Sequence, residues 1–108
     1  MSGPDATPEL TTEAFMAASA TVPDHVVFRE FDGETVVLNL QSGTYHGTNA
    51  AGGRLLALLR EGDGAVAPAV ERLADEYGER PDAIAPGLTR FACELTIRGL
   101  IELDAGAG

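Results

Sequence analysis

Hydrophobic positions along the chain change their spacing twice. Before Pro23 there is little periodicity: Thr11 or Thr12 is placed to cap a short helix over residues 13–19, burying Phe15 and Met16. The alternative is a frayed tail, and the pattern leaves the two open. From residue 25 the spacing becomes that of strands. Residues 25–31 and 34–40 are rich in Val, Phe and Leu, and Asp32-Gly33 between them is a strong hairpin signal. Ser42-Gly43 makes a second turn into a brief third strand, 44–48. In the middle strand Val36, Leu38 and Leu40 share one face by two-residue alternation. Val37, with Phe28 across the turn, makes the opposite face partly apolar as well. A sheet apolar on both sides expects a second cover from the N-terminal segment, another subunit or a ligand.

Helical spacing follows. Asn49 is a candidate N-cap, with Ala51, Leu55, Leu58 and Leu59 on one stripe and Gly62 as the stop. A second helix over about 66–77 carries Val70, Leu73, Ala74 and Tyr77 and ends at Gly78. The third follows Pro81-Asp82 and runs to Arg98, with Leu88, Phe91, Ala92 and Leu95 inside and Gly99 after it. Pro86 belongs in a first turn or at a kink, so a start within residues 83–85 is expected. Leu100, Ile101 and Leu103 close the core. The expected class is α+β and winged-helix-like: a three-stranded antiparallel sheet followed by three helices. The expected organisation is a flexible or partner-ordered segment 1–22, a domain over 23–103 and a disordered tail 104–108.

With 108 residues the chain suits one modest core. No apolar run approaches the roughly 20 residues of a bilayer span, and no basic-then-apolar start marks a secretory signal. The lone Cys93 makes no internal disulfide, and the cytoplasm is the expected compartment. Seven Arg and no Lys face seventeen acids, for a formal net charge of -10. That balance argues against nucleic acid, which needs a basic stripe to displace counterions. It favours neutral or basic partners.

Residues 34–52 carry a strand, the Ser42-Gly43 turn, the aromatic Tyr45, then Asn49 and Gly52 opening a helix. With Leu55–Leu59, Val70–Tyr77, Leu95 and Arg98-Gly99-Leu100-Ile101 in that order, residues 23–103 resemble the PqqD-like family, the RiPP recognition elements. Members usually carry a bulky aliphatic before the Asn, where Thr48 stands here. The resemblance implies a non-catalytic adaptor without cofactor or metal. It implies binding of the leader of a ribosomally made precursor peptide, presented to a modifying enzyme such as a radical SAM enzyme, a protease or a cyclase. Pyrroloquinoline quinone and lasso-peptide systems use such members. The implied mode is strand addition on the third strand, beside the third helix. Carried over, the edge is Thr44, Tyr45, His46, Gly47 and Thr48, and the helical wall is Arg90, Glu94, Ile97 and Arg98. Gly47 would admit close backbone approach, and Tyr45 would stand as a groove wall or as strand packing.

Enzyme readings find no support. His25, His46 and Cys93 have no metal-ligand or nucleophile–base spacing, and Ala50-Ala51-Gly52-Gly53 lacks the Lys and Ser/Thr of a phosphate loop. Two alternatives share the fold: a winged-helix DNA-binding regulator and a plain interaction or dimerisation domain. Arg90 and Arg98, interrupted by Glu94, are a poor DNA-reading helix. A homodimer remains open.

Overall fold

A computed structural model of the chain describes residues 10–104. Its elements are α1 Thr12–Met16, β1 Ser19–Thr21, β2 Val26–Phe31, β3 Glu34–Asn39, β4 Tyr45–Asn49, α2 Ala50–Glu61, α3 Val66–Tyr77, α4 Pro81–Ile97 and β5 Glu102–Asp104. The expected α+β order of three antiparallel strands and three helices is present as β2-β3-β4 and α2–α4. The positive φ of Asp32 (51°) and Gly33 (82°) makes the two-residue turn that the Asp-Gly pair predicts.

Residues 10–22 do not stand apart from the domain. The Thr11 hydroxyl accepts from the Ala14 amide at 3.0 Å, capping α1, and Phe15 is fully buried. Ala18, Ala20 and Val22 are buried too. β1 pairs antiparallel with β5, Ala20 opposite Leu103, making a second, two-stranded sheet. β1 is also tied to the α2–α3 connection: the Ala20 amide donates to the Gly64 carbonyl at 2.7 Å, and Val66 to Ala18 at 3.0 Å. A Cβ on Gly64, whose φ is +91°, would lie 2.8 Å from the Ala20 carbonyl oxygen. Packing therefore begins well before residue 23. Short elements such as α1 and β1 hold together by tertiary contact rather than by a periodic stripe, which is why the pattern left this segment open. Residues 1–9 and most of the expected tail, 105–108, lie outside the described residues.

The inner face of the sheet differs from the more apolar one. Thr35, Val37 and Asn39 are buried against the helices, whereas Val36 and Leu38 are half-buried and Leu40 is exposed. Two compensations make a partly polar inner face tolerable. α2 approaches β3 closely, since a Cβ on Gly53 would fall 2.8 Å from Thr35 Cβ. Asn39 is satisfied: its Oδ1 accepts from the Gln41 and Ser42 amides at 2.8 and 3.1 Å, and its Nδ2 donates to the Gly99 carbonyl at 3.5 Å.

α2 starts as expected at Asn49, whose Oδ1 accepts from the Gly52 amide at 2.9 Å. α3 ends at Gly78 in the left-handed region. α4 departs from expectation. It begins at Pro81, not within 83–85, and continues through Pro86. Pro81 is preorganised for the first helical position, and Pro86 and Asp82 both face solvent, where the missing amide bond costs least. Leu88, Ala92 and Leu95 are buried as expected, and Phe91 only partly. Leu100 and Ile101 close the core with Leu55, Leu56, Leu59, Val66, Val70 and Leu73. On the surface Arg54 joins α2 to α3 through Glu76, at 2.9 and 2.7 Å. That bidentate hydrogen bonding holds the Glu76 carboxyl below the ordinary carboxylate range.

Candidate functional site

β4 is an edge strand, and the ladder decides which of its groups are offered outward. The Asn39 amide donates to the Thr44 carbonyl at 2.8 Å, and His46 and Thr48 face Val37 and Thr35 in the same register. By antiparallel alternation Thr44, His46 and Thr48 turn their main-chain groups to β3, while Tyr45 and Gly47 turn theirs to the open edge. Side chains alternate with the same period. Those of His46 and Thr48 point towards the helices, and that of Tyr45, 69% exposed, stands on the other face of the sheet. Tyr45 therefore does not line the groove beneath, and what it turns to the open edge is its main chain.

Below the edge a groove of about 530 Å³ runs between β4 and α4, lined by His46, Thr48, Arg90, Phe91, Cys93, Glu94 and Ile97. His46 is largely enclosed; its Nε2 lies 3.7 Å from Glu94 Oε1 and its ring 6.5 Å from that of Phe91. Ile97 is 69% exposed, so the groove offers an apolar side chain to solvent. A second hollow, also about 530 Å³, continues the first past Thr48, Arg90 and Phe91. It lies among the start of α2, the end of α3 and α4, with Tyr77 and Ile84 in its wall. Gly52 sits at the joint between them: a Cβ there would meet Thr48 Oγ1 at 2.6 Å and Phe91 Cζ at 2.9 Å. Glycine is thus what lets α2, β4 and α4 converge at this point.

The structure brings together His46, Thr48, Arg90, Glu94 and Ile97 of the expected residues. Gly47 lies on the edge, and a Cβ there would meet no atom within 4 Å. Thr44 belongs to the preceding turn, its hydroxyl accepting from Ser42 Oγ at 3.0 Å. Arg98 is the exposed C-cap of α4 and does not line the groove. Phe91 and Cys93 line it without having been expected, as helical spacing had placed both in or beside the core stripe. Among the described residues no cluster of three or more His, Cys, Asp or Glu is arranged to hold a metal. No helix among them is long and apolar enough to cross a membrane.

The edge strand and the helix beside it both lie within the span that matches a known family. Residues 34–101, from β3 to the end of the core, match the family described as coenzyme PQQ synthesis protein D (PqqD). The chain belongs to the PqqD family. One solved structure similar to this PqqD-family chain is TbiB1 in complex with the TbiA(beta) leader peptide. The two are 33% identical with a TM-score of 0.64, over 76% of this chain and 94% of TbiB1. No curated protein sequence matches the chain significantly.

Proposed function

We propose that this chain is a RiPP recognition element: it binds the leader of a ribosomally made precursor peptide by strand addition to β4 and presents it to a modifying enzyme. The observation that carries the reading is the coincidence of an open edge, at Tyr45 and Gly47, with a groove directly beneath it. An added strand gains main-chain hydrogen bonds to those two residues whatever its sequence. Its inward side chains, every second one, then enter the groove and supply selectivity. Ile97 and Phe91 give that groove an apolar contact, and Arg90 and Glu94 give it one charge of each sign. Membership in a family of non-catalytic peptide-binding domains agrees with this, as does a relative of 33% identity bound to a leader peptide. The partner is a radical SAM enzyme, a protease or a cyclase, and the compartment is the cytoplasm, where the precursor is made. The recognition surface comprises the edge from Thr44 to Thr48 and the α4 residues Arg90, Glu94 and Ile97, with Arg98 at its rim.

The test is fluorescence polarisation with a labelled peptide carrying the leader encoded beside this gene, against a scrambled leader and a DNA duplex. Saturable binding to the native leader alone is expected. Amide exchange then locates it: the Tyr45 and Gly47 amides become protected on leader binding. Binding to the duplex alone, or protection confined to surfaces away from β4, would sink the proposal.

A further inference from the structure

Six large apolar side chains of the described residues are exposed: Val27, Phe31, Leu40, Tyr45, Tyr77 and Ile97. Ile97 and Tyr77 line the two hollows already described. The other four share the outer face of the three-stranded sheet. The register sets Val27, Leu38 and Tyr45 in one row, and Arg29, Val36 and Gly47 in the next. Phe31 stands at one end of this face and Leu40 continues it at the other. Core helices pack against the opposite face, where Val26 and Val37 are buried.

Charge and area narrow what covers it. A second copy is disfavoured by charge. Each chain carries a formal -10, and exposed Asp32 and Glu34 sit at the β2–β3 end of the face. Three strands at about 4.8 Å spacing and about 20 Å long give a face of roughly 300 Å², well below the roughly 800 Å² per partner of a stable interface. The face suits a weak contact with a surface that is apolar at its centre and basic at its rim.

The same face is contiguous with the edge at β4. A strand added there widens it by about 4.8 Å, and those of its side chains that do not enter the groove stand beside Tyr45. We infer that the outer sheet face is the docking surface for the peptide-modifying enzyme, through an apolar patch with a basic rim on that enzyme, and that the bound leader strand completes it. This inference rests on the leader-binding reading above. It assigns the two faces separate tasks: the groove holds the leader, and the outer face holds the enzyme more tightly once the leader is in place.

The experiment uses Val27→Glu and Leu40→Glu, both outside the groove and the β4 edge, checked for wild-type far-ultraviolet circular dichroism. Leader affinity is measured by polarisation, and precursor modification by mass spectrometry in producing cells carrying each variant gene. Leader Kd within about twofold of wild type, with at least about a tenfold fall in modified peptide, is expected. Modification at the wild-type level overturns the inference, and so does loss of leader binding in these variants, which would assign the face to the leader. Sedimentation showing a wild-type dimer that Val27→Glu abolishes would also overturn it, in favour of a second copy. If the wild-type chain itself fails to bind the leader, the leader-binding reading has failed before the docking surface is tested.

Discussion

Glycine at position 52 shows how a single residue sets the shape of the groove. Its missing Cβ is the space in which Phe91 and Thr48 meet the first turn of α2. Gly52→Ala would force the Phe91 ring out of place, and overpacking of this kind costs about 1–3 kcal/mol. The expected outcome is a lowered Tm together with weakened leader binding, because Phe91 lines both hollows. A Tm loss with unchanged leader affinity would show that the joint between the hollows does not matter to recognition. Cys93 and Phe91 also mark what sequence alone conceals at this scale. Helical spacing counts Phe91 with Leu88, Ala92 and Leu95, yet it is only half covered. A position at the border of a stripe is core or groove according to how far the neighbouring strand reaches, and one-dimensional spacing does not record that distance.

Two edges of the sheet are exposed to any passing strand, and the chain treats them differently. On β2 the Val26 amide donates to the Pro23 carbonyl at 3.0 Å. Arg60 then lays its guanidinium across the start of the strand, donating to the carbonyls of Val26 at 2.8 Å and Pro23 at 3.0 Å, and stacking 5.2 Å from the Phe28 ring centroid. A charge placed on an edge in this way is a known guard against strand pairing. Among the described residues no such guard stands before Tyr45 and Gly47 on β4. Arg60→Ala should lower stability by about 1–2 kcal/mol and open β2, seen as concentration-dependent self-association by sedimentation; a variant that stays monomeric would show that Phe28 and Glu30 protect the edge unaided. Much of this architecture was legible beforehand. The Asp32-Gly33 turn, the Asn49 cap and the stops at Gly62 and Gly78 depend on local chemistry, and each stands where the pattern put it. The sheet's inner face was not legible, because the burial of Thr35 and Asn39 draws on Gly53 and the Gly99 carbonyl, which are distant in sequence. The start of α4 was missed for a related reason: Pro86 is tolerated by its exposure, a property of the folded molecule.

At the scale of the whole molecule, the two ends of the described chain close on one another. β1 pairs with β5, α1 packs Phe15 into the same core as Leu95 and Leu100, and Thr89 Oγ1 of α4 lies 3.4 Å from Thr12 Oγ1. The segment before residue 23 thus braces the far side of α4, the helix whose opposite side forms the groove. Its loss should therefore reach recognition through the position of that helix. A chain beginning at residue 23 leaves β5 without its partner and opens the space Phe15 fills. Phe→Ala in a core costs about 3–5 kcal/mol, against a total of about 5–15 kcal/mol for a domain, so the truncated chain should unfold at a far lower denaturant midpoint or not fold at all. Phe15→Ala in the full chain is the milder version: it should lower the midpoint and, in the fraction that remains folded, weaken leader binding. Urea titration followed by circular dichroism reads the first effect, and leader polarisation well below the midpoint reads the second. A truncated chain as stable as the full one would restore the boundary at residue 23 and reduce α1 and β1 to an appendage. Loss of stability with undiminished leader affinity would separate bracing from recognition, leaving the α4 wall positioned by α2 and α3 alone.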